Sequence, residues 1–306
     1  MTRFQRILCP VDFFPGSLHA FEYALKLARN YAARVIALHV IEPVIPTVYE
    51  PAFSVPDLTN ELEKESKRLL KDLGSKAAKA GVPLETQVRL GDIPTEIRRF
   101  IDKSKVDLVV VGTHGSKGFE RWLIGSVTER LMRHCPVPLM VIGGKKKVGA
   151  PPPEVDSILV TTDFSEGTAD ALKHAFSLAQ ESQAKVDLLH VVDELVLVEP
   201  APDVRESVID GVRKKLDRLV PDSVKSWCDP RTTVVTGIPY QMILKTAKKN
   251  KVGLIVMNVH GKGMLDRVLV GSTAERVVRG ADCPVLLIPP STAAARSPRS
   301  KKAKAA

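Results

Sequence analysis

Apolar residues along this chain fall into two alternating rhythms. Short strand-like segments at residues 6–11, 34–40, 84–89, 106–112 and 138–142 are separated by longer stretches with helical spacing. In the first of these stretches Phe21, Ala24, Leu25 and Ala28 stand at i, i+3, i+4 and i+7, one face of a helix that Gly16-Ser17 is expected to open. A proline-interrupted loop over residues 42–56 precedes a charged amphipathic helix from about residue 57 to 80. Pro94 starts another helix, through about residue 104, and a short one follows Gly125.

The pattern then occurs a second time. A lysine-, glycine- and proline-rich stretch at residues 143–153 reads as a linker. Beyond it Asp163 and His190 match Asp12 and His39 at an offset of 151. Gly237, Gly261 and Gly271-Ser272 match Gly91, Gly115 and Gly125-Ser126 at 146, and Cys283-Pro284 matches Cys135-Pro136 at 148. Offsets that hold within blocks and drift between them describe a duplicated domain with small loop insertions. The expected division is a first domain at 1–144, a linker at 145–154, a second domain at 155–290 and a basic tail at 291–306. Strand–helix alternation implies right-handed crossovers and, in each copy, a five-stranded doubly wound parallel sheet of the Rossmann-like α/β class.

Charge changes this picture little. Of the net +10, the tail after Pro290 supplies five basic residues and no acid, and the linker three lysines. The folded part is left nearly neutral, which argues against a broad nucleic-acid-binding face. No apolar run reaches the ~18 residues of a membrane span, and the first residues lack a signal-peptide layout, so a cytoplasmic protein is expected. The four cysteines, Cys9, Cys135, Cys228 and Cys283, have no metal-type spacing and read as reduced thiols.

Candidate chemistry gathers at strand ends. Doubly wound sheets bind ligands beyond the carboxyl ends of their strands, where the strand order reverses. Asp12, Val40 and Gly112 each end or follow a strand and are expected to converge there. From Gly112 the chain runs Gly112-x2-Gly115-x9-Gly125-Ser126. A glycine-ended strand, a loop and a Gly-Ser helix start make an anion cradle, because glycine allows close approach and a helix start offers unpaired N–H groups. Each residue also has a plainer reading. Asp12 is a turn or cap residue, the glycines are turn glycines, and His39 and His190 pack at strand ends.

In these features the chain resembles the universal stress protein family in its tandem form. The glycine run matches the nucleotide motif of that family's ATP-binding branch. The stretch GSVTERLMRHCPVP at residues 125–138, the DFS at 163–165 and the LHV at 38–40 and 189–191 are also similar to it. The resemblance implies an adenine nucleotide alpha hydrolase-like fold that binds ATP or another adenine nucleotide, with or without Mg, and acts in the stress response. It places adenine near Pro10, Asp12 and the backbone of Val40. Ribose and phosphates fall to Gly112, His114, Gly115, Gly125, Ser126 and Val127. The second copy offers Asp163, Val191, Gly261, Gly271 and Ser272, but Asn258 stands where the first has Gly112. A side chain at that position is expected to weaken or abolish nucleotide binding there.

Two other readings stay open. One is an adenine-nucleotide-hydrolysing or -transferring enzyme of a related fold, although neither a SerGlyGly-type loop after the first strand nor a HisxGlyHis pair occurs. The absence of a GxxxxGK[ST] loop argues against P-loop chemistry, and no catalytic constellation stands out, so binding rather than catalysis is expected. The other is a tandem that binds protein partners without nucleotide. The two copies are expected to pair with each other through their fifth strands; further homodimerisation is left open.

Overall fold

The computed structural model describes residues 4–43, 55–113, 124–143, 154–193, 202–259 and 271–290. In the first half β1 (Arg6–Pro10), α1 (Pro15–Tyr31), β2 (Arg34–Ile41), α2 (Val55–Ala80), β3 (Leu84–Leu90), α3 (Ile93–Ser104), β4 (Leu108–Gly112), α4 (Ser126–His134) and β5 (Leu139–Ile142) follow one another. The second half repeats them as β6 (Ser157–Thr161), α5 (Thr168–Ser182), β7 (Lys185–Val192), α6 (Pro202–Asp217), β8 (Arg231–Thr236), α8 (Pro239–Lys249), β9 (Leu254–Asn258), α9 (Ser272–Gly280) and β10 (Val285–Ile288). It adds one short helix, α7 (Asp222–Lys225), between α6 and β8.

The expected pair of five-stranded sheets is realised as one ten-stranded sheet, in the order β3-β2-β1-β4-β5-β10-β9-β6-β7-β8. Neighbours within each half run parallel. The join is antiparallel, with Leu139 opposite Leu287 and Val141 opposite Val285. The intramolecular strand pairing expected from the sequence is therefore present. It removes two apolar sheet edges that would otherwise template association. Two edge strands remain, β3 and β8; β3 carries Glu85, Gln87 and Arg89, polar residues suited to solvent.

Both faces of the sheet are covered. One core packs α1, α2, α5 and α6 on one face, and the other packs α3, α4, α8 and α9 on the opposite face. Each core draws residues from both halves, so the two copies share their hydrophobic interior. Burial on both sides explains why β1, β4, β9 and β10 read as continuous apolar runs.

Helix starts differ from the sequence expectation. α1 begins at Pro15 rather than at Gly16-Ser17, with Phe14 at the cap position and no side-chain cap. α2 begins at Val55, because Pro56 fits the first turn, where a missing N–H breaks no helical bond. Asp92 caps α3 by accepting from the Thr95 N–H at 3.1 Å. Among the described residues no helix is long and apolar enough to cross a membrane.

Candidate functional site

β1 lies between β2 and β4, so the strand order of the first half reverses beside it. The ends of β1, β2 and β4 are neighbours, which brings Pro10, Asp12, Val40 and Gly112 to one crevice. After Pro10 the chain continues extended: the Val11 N–H donates to the Leu38 carbonyl at 2.9 Å. The Val11 carbonyl meets Nδ1 of His39 at 2.7 Å. Phe13 then turns the chain at φ 63°, a left-handed conformation unfavourable for an aromatic residue. Its ring packs on His39 at 4.7 Å between centroids. His39 thus holds the turn from beneath, the strand-end packing expected of it.

The turn is tied together by Asp12. Its Oδ1 accepts from the Phe14 N–H at 3.1 Å and from the Ser17 hydroxyl at 2.6 Å. Oδ2 makes no hydrogen bond to the described residues. One oxygen of the carboxylate thus fixes the loop, the turn role expected of it. Val40 is buried, so only its backbone is available to a ligand. Pro10 is half-buried at the strand end.

Gly112 has a reason of its own. A Cβ there would stand 2.5 Å from the Gly16 carbonyl oxygen, so the end of β4 packs backbone to backbone against the first turn of α1. The Gly112 carbonyl in turn accepts from the Thr128 hydroxyl at 2.7 Å, tying β4 to the first turn of α4. The Gly125 N–H donates to the Thr113 carbonyl at 2.8 Å. Gly125 is the cap residue of α4 and no side chain caps that helix. Ser126 is exposed and Val127 half-buried, leaving a hydroxyl and first-turn N–H groups for an anion. His114, Gly115 and Gly261 lie outside the described residues. Gly16, Ser17 and Thr128 are structural members of the site that the sequence reading missed; the Gly16–Gly112 pairing joins residues with no shared local pattern.

A profile described as the Universal stress protein family matches residues 3–143 and again 154–289. The chain belongs to the universal stress protein family. A universal stress protein of Methanocaldococcus jannaschii is 37% identical over 145 residues, 47% of this chain and 85% of the relative. One of Mycolicibacterium smegmatis is 27% identical over 296 residues, 93% of this chain and 97% of the relative. The crystal structure of a universal stress protein from Archaeoglobus fulgidus aligns with a TM-score of 0.72 at 20% identity, covering 94% of this chain and 98% of that one. This last likeness establishes the fold in its full tandem form.

The two universal stress domains share their turn. Phe164 repeats the left-handed conformation at φ 60°, and His190 Nδ1 meets the Thr162 carbonyl at 2.7 Å. Asp163 Oδ1 accepts from the Ser165 N–H at 3.0 Å, and Val191 sits half-buried at the end of β7. Gly271 caps α9, again without a side-chain cap, and Ser272 is exposed.

The domains differ at Asn258. With its amide oriented to satisfy both ends, its nitrogen donates to the Gly167 carbonyl at 3.0 Å. Its oxygen accepts from the Thr168 N–H at 3.2 Å and the Ser165 hydroxyl at 3.3 Å. The side chain is thus inserted between β9 and the start of α5, where the first domain has direct backbone contact. Gly167 admits it: a Cβ there would lie 3.0 Å from the Asn258 side chain. Ala274 stands in the place of Thr128, so the tie from α9 to the end of β9 is missing.

Burial pushes the Cys9 thiol far above its usual range, and that of Cys135 up to about 12. Among the described residues no three His, Cys, Asp or Glu stand together as a metal site.

Proposed function

We propose that this universal stress protein binds an adenine nucleotide, ATP in the first instance, in the crevice of its first domain. The reading is a binding module for the stress response rather than an enzyme. The observation that carries it is the pairing, across one strand-order reversal, of an Asp12 oxygen without a donor among the described residues and an α4 start without a side-chain cap among them. A carboxylate suits the adenine amino group or a ribose hydroxyl. N–H groups at a helix start, with the Ser126 hydroxyl, suit phosphate. Val40 supplies only backbone, next to the base. Magnesium has no carboxylate cluster among the described residues to hold it, so in this reading it arrives on the nucleotide's own phosphates.

The second domain is the weaker site. Asn258 supports that asymmetry: its amide already serves Gly167 and Thr168 at the start of α5, where the first domain has Gly112 and therefore no side chain at that position. A nucleotide-free, structural role suits this half best.

Calorimetric titration of the whole chain with ATP tests the proposal. One site per chain is expected, and Ser126→Ala is expected to weaken it about three- to tenfold through one lost hydrogen bond. Asp12→Ala is expected to weaken it further. No heat with ATP or AMP, or an affinity indifferent to both substitutions, sinks the reading. Steady-state phosphate release, with Gly125→Val as the control against contaminating activity, tests whether bound ATP is turned over.

A further inference from the structure

One helix of the second domain faces solvent with charge of a single sign. Along α8 the residues Gln241, Lys245, Lys248 and Lys249 are exposed. They stand at i, i+4, i+7 and i+8 and so form one stripe, while Ile243 and Ala247 are buried on the opposite side. Lys251, also exposed, follows just past the helix end in a left-handed turn at φ 50°. No acid occurs between residues 239 and 251. Among the described residues none of these four lysines has a carboxylate within ion-pair reach. Glu275 of α9 is held by Arg279 at 2.6 Å, and Asp187 of β7 accepts from Asn250 at 3.3 Å.

The corresponding helix of the first domain is built otherwise. On α3 Arg98 meets Asp102 at 3.0 Å and Arg99 meets Glu96 at 2.6 Å. At the offset of 146, Met242 stands for Glu96, Lys248 for Asp102 and Ile238 for Asp92. One copy of the unit thus neutralises this flank, and the other has lost all three acids from it. Helix geometry accounts for only part of the difference. Lys248 and Lys249 lie in the last turn, where cations suit the helix dipole. Lys245 lies a turn earlier, and its spacing to them sets like charges at i,i+3 and i,i+4, which costs helix stability. A negative surface laid against the stripe relieves that repulsion.

We propose that the α8 stripe of the second domain docks this protein on an anionic lipid surface, as a peripheral contact. Charge complementarity sets the sign: four lysines without acids on one flank match the polybasic clusters that recognise acidic headgroups. The character of the charges sets the kind of polyanion. Lysine ammoniums are point charges that follow a diffuse negative potential, whereas recognition of a nucleic-acid backbone favours forked guanidinium groups. Arg276 of α9 is stacked on Tyr240 at 4.8 Å, which occupies the ring that a base would need for stacking. Ile238, at the cap position of α8 and 46% exposed, adds an aliphatic side chain suited to the headgroup boundary. Ile243 and Ala247 stay packed in the core, so the stripe makes its contact with the helix in place. The nucleotide crevice of the first domain uses none of these residues.

Co-sedimentation of the whole chain with vesicles of phosphatidylcholine, with and without phosphatidylglycerol, tests the proposal. Binding is expected only with phosphatidylglycerol present, and is expected to fall as salt rises from about 0.05 to 0.5 M. Lys245→Gln, Lys248→Gln and Lys249→Gln combined, all at exposed positions, are expected to weaken it at least about tenfold, with the urea midpoint unchanged. Arg99→Gln, on the paired stripe of α3, is expected to leave it intact. Truncation after Pro290 removes five further bases and is expected to leave the effect of the three lysine substitutions in place. A labelled DNA duplex, followed by fluorescence anisotropy, is expected to bind more weakly than the vesicles. The proposal is overturned if the anionic vesicles bind no better than neutral ones, or if the triple variant sediments as the wild type does. It is equally overturned if truncation alone abolishes binding, which assigns the contact to the tail, or if the duplex binds through these lysines and the vesicles do not.

Discussion

Gly112 and Asn258 occupy the same place in the two halves and solve the same packing problem by opposite means. At Gly112 even a methyl group would meet the Gly16 carbonyl oxygen at 2.5 Å. Gly112→Ala is therefore expected to lower the unfolding free energy by about 1–3 kcal/mol, as overpacking does, and urea unfolding reads it directly. Gly112→Asn is expected to do the same and also to weaken ATP, since it displaces the start of α1 that carries the Asp12 turn. Asn258→Gly strips partners from Thr168 N–H and Gly167 C=O; a loss of about 1–3 kcal/mol is expected, measured the same way. The sequence pointed to this position by spacing and strand-end placement. It assigned the glycine to close approach by a ligand, and the structure shows a further close approach there, by the first turn of α1. Periodicity tells where a strand ends but not which helix turn lies against that end. The turn role of Asp12 was legible in the sequence, and its Oδ1 makes that turn with Phe14 and Ser17.

At the scale of elements, alternating strands and helices were readable because each strand is buried on both faces and each helix on one. The pairing of β5 with β10 was expected from the family resemblance rather than from the residues themselves, and the structure shows it. What escaped was local. Asp92 caps α3 through a side chain that no periodicity marks, and α7 is a single turn below the length at which a helical period registers. Because β10 covers β5, residues 1–143 expressed alone expose an apolar edge. They are expected to self-associate through β5, giving a dimer by analytical ultracentrifugation that Met140→Lys shifts toward monomer. In the whole chain the same substitution is expected to loosen the join with Leu286, its partner across the sheet.

The whole molecule is held together by more than that join. Phe4 of the first half stacks on His174 of α5 at 6.0 Å between centroids. Burial holds the His174 imidazole below its ordinary value of 6.5, with Lys173 adding to the depression and Asp170 opposing it. The folded protein thus favours the neutral ring. This contribution is complete above pH 6.5 and is lost as pH falls through the depressed value of the folded state. Urea midpoints are expected to fall between pH 7 and about pH 5, and His174→Gln is expected to flatten that slope. The antiparallel join has one more consequence. Since β5 and β10 run in opposite directions while every other neighbour is parallel, the mouths of the two crevices open at opposite rims of one shared sheet. No single ligand can bridge them, and a macromolecule docked at one rim leaves the other uncovered. The duplication has produced a two-headed body, with one set of strand ends at each pole.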